Sequence, residues 1–160
     1  MDSKNKSLLW VGISMQKDSL IPLDEKFVSG RLIGSVIELM PEYCHHKANL
    51  VNFAPLDKLG KIRYPLKSEI DDSFSFLHDL IEVVRPQIII ALGGVVIKSL
   101  SEAFDMKLEL PKGFEYQVVA GKFSIMPVQH PSYISIYKKK HIDDYRNGIV
   151  NGVKNLFLDF

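Results

Sequence analysis

Gln87-Ile88-Ile89-Ile90-Ala91-Leu92-Gly93-Gly94 is the stretch whose reading decides the fold. Five consecutive apolar residues of strand length, without polar alternation, describe a strand covered on both faces. Arg85-Pro86 immediately before it closes a helix, because the residue ahead of a proline is disfavoured in the helical region. Gly93-Gly94 turns directly into another helix, from about Val95 to Ala103. A buried strand with a helix on either side is the repeating unit of an α/β protein with a parallel sheet.

Working outward, the same alternation continues. Upstream of the strand, Ile70, Phe74, Leu77, Ile81 and Val84 form a helical stripe. Ser68 is the expected N-cap, with Glu69, Asp71 and Asp72 in the first turn. Between Leu56 and Leu66, Gly60, Pro65, Lys58, Lys61 and Arg63 describe a basic loop. Ala48-Asn49-Leu50-Val51-Asn52-Phe53 reads as a short strand ended by Ala54-Pro55. Leu32, Ile33, Val36, Ile37 and Met40 give an amphipathic helix from about Val28 to Met40, and residues 7–13 give a first strand broken at Gly12. A polar loop from about Ser14 to Lys26 joins these two.

Downstream, Tyr116-Gln117-Val118-Val119 and Phe123-Ser124-Ile125-Met126 read as a hairpin around Ala120-Gly121-Lys122. The second of these strands delivers Gln129-His130-Pro131-Ser132-Tyr133. A final helix, about Ile142 to Leu156, carries Tyr145, Ile149, Val150, Val153 and Leu156 on one side. Gly148 and Gly152 lie four apart on it and would permit close approach to the sheet. The expected architecture is a three-layer α/β/α fold with a mostly parallel central sheet, in one domain spanning 1–160.

Composition sets outer limits. Apolar content of 46% and charged content of 24% are ordinary for a globular protein, and 160 residues suffice for one core. A net charge of +1 still permits a local basic patch. Cys44 is the single cysteine, so neither an intrachain disulfide nor a cluster on four protein thiolates can form, which fits a reducing cytoplasm. Lys4 and Lys6 before the apolar run at 8–13 imitate a signal peptide, but the run is short and ends in Gln16-Lys17-Asp18. No segment reaches membrane-span length. The expected localisation is cytoplasmic and the expected state a monomer.

In an open parallel sheet the carboxyl ends of the strands share one edge, so Gly12, Asn49 and His130 become neighbours despite their separation in sequence. Pro131 holds His130 extended and stiffens the turn leaving the strand. Taken alone, His130 could equally satisfy a loop carbonyl, Asn49 could cap a backbone group, and Phe27 could be a core aromatic. Gly93-Gly94 lacks the full glycine fingerprint and helix-opening lysine of a phosphate loop. His45-His46 beside Cys44 has no second ligand cluster, so no metal is expected.

These segments, in this order, resemble the uracil-DNA glycosylase superfamily, most closely its compact bacterial and archaeal families. Leu8-Leu9-Trp10-Val11-Gly12 is similar to the first motif strand, and Phe27-Val28 before Gly30-Arg31 to the segment with a base-stacking phenylalanine. Asn49-Leu50-Val51-Asn52-Phe53-Ala54-Pro55 is similar to the asparagine strand, Arg85 through Gly93 to the arginine-proline strand, and His130-Pro131-Ser132-Tyr133 to the late histidine-proline-serine motif. The resemblance implies a DNA glycosylase without a cofactor, acting on uracil or a related deaminated base in DNA. In it Asn49 and His130 would be catalytic, Gly12, Ile13, Phe27 and Asn52 would contact the substrate, and Ser132, Tyr133, Lys138 and Lys139 would meet DNA.

The chemistry is consistent with those roles. Breaking an N-glycosidic bond develops negative charge on the departing base, and a fixed donor such as His130 stabilises it by about 3 kcal/mol. The Asn49 amide offers a donor and an acceptor to the O4 and N3–H edge of uracil. The target base must leave its stack to enter such a pocket. Tyr133 or Ile134 is the candidate wedge for the gap it leaves, and Lys138-Lys139-Lys140, with Lys58, Lys61 and Arg63, would neutralise phosphates.

Two departures stand out. The family usually carries a carboxylate or asparagine just after the first-motif glycine, whereas Gly12 is followed here by Ile13-Ser14-Met15-Gln16. General-base help is commonly worth about 10²–10⁴-fold, so its loss predicts a slow enzyme or a substitute. Asp18 and Asp24 are the substitutes to hand, and Ser14 or Gln16 could orient water. The cysteines that hold an iron-sulfur cluster in some members are also missing. An inactive module that binds nucleic acid or a free nucleobase is therefore the alternative.

Overall fold

A computed structural model describes residues 6–158; Lys4 lies outside them. Four parallel strands, β1 (Ser7–Ser14), β2 (Cys44–Val51), β3 (Ile88–Leu92) and β4 (Ile125–Val128), form one sheet in the order β2-β1-β3-β4. The helices are α1 (Val28–Ile37), α2 (Lys67–Val84), α3 (Gly94–Phe104), α4 (Pro131–Tyr137) and α5 (Ile142–Leu158).

The uninterrupted apolar strands are explained by what covers them. All of β3 is buried. Its Ile88, Ile90 and Leu92 face a core shared with α1, α4 and α5, which includes Trp10, Ile33, Val36, Ile134, Tyr145 and Ile149. Its Ile89 and Ala91 face the opposite core, against Leu77 and Ile81 of α2 and Val96, Ile97 and Leu100 of α3. The result is the three-layer α/β/α arrangement, with a sheet that is wholly rather than mostly parallel. Each fully buried Ile or Leu side chain contributes about 2 kcal/mol, so two opposed cores fix the strand register tightly.

Several local expectations change. β2 begins at Cys44 and ends at Val51, so Asn52 and Phe53 lie beyond the strand. Leu66, not Ser68, holds the N-cap position of α2, and its backbone N–H donates to the Glu69 carboxylate at 2.8 Å. The hairpin at 116–126 is reduced to a single antiparallel bridge between Val119 and Ile125, while the other edge of Ile125 pairs in parallel with β3. Phe157 is buried at the end of α5, where Leu156 is only partly so. Gly148 and Gly152 do allow close approach, but mainly to the 114–116 segment: a Cβ would lie 2.0 Å from the Phe114 carbonyl at Gly148 and 2.8 Å from the Tyr116 carbonyl at Gly152. No helix among the described residues is long and apolar enough to cross a membrane.

The chain leaves β1 toward β2 on one side and returns to β3 on the other. In open α/β sheets this reversal opens a crevice at the carboxyl ends of the strands. Here it lies between β1 and β3.

Candidate functional site

A cleft of about 460 Å³ occupies that crevice, within the range of small-ligand sites. Its floor is the strand ends: Gly12, Ile13 and Ser14 from β1, Asn49 from β2, Leu92 from β3, and His130 just after β4. Asn49 and His130 therefore share one cavity although they leave the two edge strands of the sheet.

His130 sits at the N-cap of α4, with Pro131 as the first helical residue. Its φ of −62° and ψ of 131° are the extended conformation that a following proline favours. The Ser132 backbone N–H donates to its Nδ1 at 3.1 Å. A backbone N–H can only donate, so Nδ1 is an acceptor and the neutral ring carries its proton on Nε2. Burial holds the imidazole pKa below its ordinary value and keeps the ring neutral near pH 7. His130 is thus a fixed, uncharged Nε2–H donor.

The preceding residue anchors it. Gln129 is buried; its backbone carbonyl accepts from the Tyr145 hydroxyl at 2.8 Å. Its side-chain oxygen accepts from Tyr116, and its amide nitrogen donates to the carbonyls of Gly113 (2.7 Å) and Pro111 (3.2 Å). Gly93 closes the other side. Its φ of +92° suits glycine, and a Cβ there would lie 2.9 Å from the His130 Cβ.

Asn49 is 9% exposed, and its amide nitrogen donates to the Met15 thioether at 3.4 Å. Thioether sulfur is a weak acceptor, so a better partner displaces it at little cost. Gly12 is the Asn49 register partner on β1 and leaves the space that its Oδ1 occupies.

Phe27, at the N-cap of α1, lines the cleft, as do Gln16, Ser132 and Tyr133. The Ser29 and Ser132 hydroxyls lie 2.6 Å apart and tie α1 to α4. Asp24 also lines the cleft and is the single carboxylate among the described lining residues. It accepts from the Lys26 backbone N–H at 3.0 Å and from the Ser19 hydroxyl at 2.7 Å, and these two bonds hold its pKa below the usual carboxylate range.

The other named residues lie elsewhere. Asn52 and Asp18 are exposed and outside the cleft lining, as are Lys138 and Lys139, which follow the lining residues Ile136 and Tyr137. Ile134 is fully buried against the core and has no surface with which to wedge. His45 bridges the Trp10 Nε1–H (3.0 Å) and the Met40 carbonyl (2.8 Å), so both ring nitrogens serve the fold. No group of three or more metal-ligating side chains occurs among the described residues.

Sequence reading missed Tyr64, Ile136 and Tyr137 on the cleft wall, and the role of Arg63 beside them. Arg63 forms a forked pair with Glu69 at 2.7 and 3.1 Å and donates from Nε to the Leu56 carbonyl, so it braces the loop that carries Tyr64. The signal for the α4 residues was present: a cap, a proline at the first helical position, and apolar residues four apart.

Among curated proteins no match is found. The family model described as the uracil DNA glycosylase superfamily matches residues 25–154, which include Phe27, Asn49 and His130. With most of its length matched, and with the three-layer parallel fold and the strand-end cleft in place, this chain belongs to the uracil DNA glycosylase superfamily.

Proposed function

We propose that the protein is a DNA glycosylase that hydrolyses the N-glycosidic bond of uracil, or of a related deaminated base, in DNA. The observation that carries this reading is the shared cleft: the Asn49 amide and the neutral, donor-oriented His130 imidazole line one cavity sized for a nucleotide.

In this reading Asn49 pairs with the O4 and N3–H edge of uracil and disfavours cytosine, whose edge has the opposite polarity at both positions. Phe27 stacks on the base. As the bond between C1′ and the base nitrogen breaks, its electron pair leaves with the base, and His130 Nε2–H donates to the oxygen that takes up the charge. Water adds to C1′ and releases a proton to solvent or to the departing base.

Asp24 takes the place of the carboxylate absent after Gly12. An ionised, hydrogen-bonded carboxylate on the cleft wall stabilises a cation-like sugar and orients water. Its lowered pKa makes it a weak proton acceptor, so a modest turnover rate is expected.

The test is incubation with single- and double-stranded oligonucleotides containing one uracil, followed by alkali. Strand breaks above the background of Asn49→Ala and His130→Ala support the reading, and their absence overturns it. The Ile13-Ser14-Met15-Gln16 segment favours one second reading, a module that holds nucleic acid or a free base without cutting. Salt-dependent DNA binding with no turnover selects that one.

A further inference from the structure

The mouth of the cleft has two lips that leave the two edge strands, which lie about 14 Å apart across the sheet. One is the loop between β2 and α2, where Tyr64 is 72% exposed; the other is α4, where Tyr133 is 45% and Tyr137 73% exposed. With Ile62 and Ile136 these rings line one cavity, and apolar surface gathered in one place, rather than scattered singly, marks an interaction site.

Both lips are stiff. The Arg63–Glu69 fork ties the first to the start of α2. Buried Ile134 and the Ser29–Ser132 contact hold the second, and the Tyr133 and Tyr137 rings pack on each other with centroids 5.7 Å apart. Rings carried on a fixed backbone lose less freedom than rings on a mobile loop when a flat partner stacks on them.

Charge narrows the partner. Arg63 is the single cationic side chain among the described lining residues apart from neutral His130, and Glu69 already neutralises it. Exposed lysines lie just outside each lip, Lys61 next to Ile62 on one and Lys138 after Tyr137 on the other. Cations at the two exits with aromatic rings between them suit a backbone that crosses the cleft while its bases turn inward to stack. Paired bases in a duplex are already stacked and present their edges, not their faces.

We propose that the cleft takes a single nucleic-acid strand laid across it, with the bases flanking the target stacked on Tyr64 at one lip and on Tyr133 and Tyr137 at the other. Lys61 and Lys138 lie on the phosphates at either exit. This deepens the glycosylase reading by naming the strand state of its substrate.

The experiment measures anisotropy of a fluorescein-labelled oligothymidylate of about ten nucleotides, alone and annealed to oligodeoxyadenylate, with the wild-type protein and with Tyr64→Ala, Tyr137→Ala and the corresponding phenylalanine variants. Single-strand binding tighter than duplex binding is expected. Each alanine should weaken it about tenfold while phenylalanine preserves it, and Lys61→Ala and Lys138→Ala should each make the salt slope shallower by about 0.7. Equal or tighter duplex binding, alanine variants that bind like wild type, or no binding to either form overturns the proposal. The uracil-oligonucleotide assay keeps the two ideas apart. Tyrosine-dependent binding without excision defeats only the glycosylase reading, and excision without tyrosine dependence defeats only the strand assignment.

Discussion

Gly12 and Asn49 are register partners on β1 and β2, and a Cβ on Gly12 would lie 2.7 Å from the Asn49 Oδ1. The glycine thus reserves the space in which the amide sits. Leu23 Cδ2, 3.2 Å from the same point, blocks escape on another side. Gly12→Ala should displace the Asn49 amide and lower uracil excision at least tenfold, with a circular-dichroism spectrum like that of wild type. Unchanged excision by the alanine variant would show that the amide position is not demanding.

Gly93 plays the corresponding part for His130 on the other side of the cleft. Its φ of +92° and ψ of 168° fall in a region that side-chain-bearing residues almost never adopt. Gly93→Ala also brings a methyl group 2.9 Å from the His130 Cβ. A stability loss of about 2 kcal/mol is expected, read from urea midpoints, together with a shift of the His130 imidazole resonances by NMR.

Acid should destabilise the protein in two separate steps. Burial lowers the folded-state pKa of both His130 and His45, whereas an unfolded histidine titrates near 6.5. The unfolded chain therefore binds more protons in the window below about pH 6.5, and stability falls as pH drops through the folded values. Asp24 and Glu69, held low by hydrogen bonds from Lys26 and Arg63 respectively, lose their contributions only as pH falls below the ordinary carboxylate range. Urea unfolding between pH 7.5 and 5 should show the first step, and His130→Gln should make it smaller. A pH-independent urea midpoint for wild type across that window would contradict the burial of both rings.

Ser29 and Ser132 should be coupled. Their hydroxyls are 2.6 Å apart and join α1 to α4, and such a bond contributes about 1 kcal/mol. A double-mutant cycle of Ser29→Ala and Ser132→Ala should return a coupling energy of that size. Additive effects would mean that the two helices are held by apolar packing alone.

A substitution at Asp24 tests the role proposed for it in the glycosylase reading. Asp24→Asn retains the shape and can still accept from the Lys26 N–H, but it removes the negative charge from the cleft wall. Single-turnover excision should slow by at least tenfold, while Asp18→Asn, exposed and outside the cleft, should leave it unchanged. A variant at Asp24 as fast as wild type would assign water activation to another group.

The sequence by itself determined the layered α/β architecture, because runs such as Ile88–Leu92 have no polar face to turn toward water and must be covered twice. It also placed Gly12 and Asn49 near the carboxyl ends of their strands and His130 just after a third, although β1 does not break at Gly12 but runs on to Ser14, because Gly12 pairs with Asn49 on β2. What only the tertiary structure decided is which neighbours those residues meet. Asp18 and Asp24 share one loop in the sequence, yet only Asp24 lines the cleft. Ile134 and Tyr133 are adjacent, yet the turn of α4 buries one in the core and leaves the other at the mouth. Helical rotation sets a side chain's direction at about 100° per residue, and loop closure sets which carboxylate reaches the cavity. Both depend on contacts between residues far apart in the chain, such as Ser29 with Ser132, which no local pattern of residues encodes.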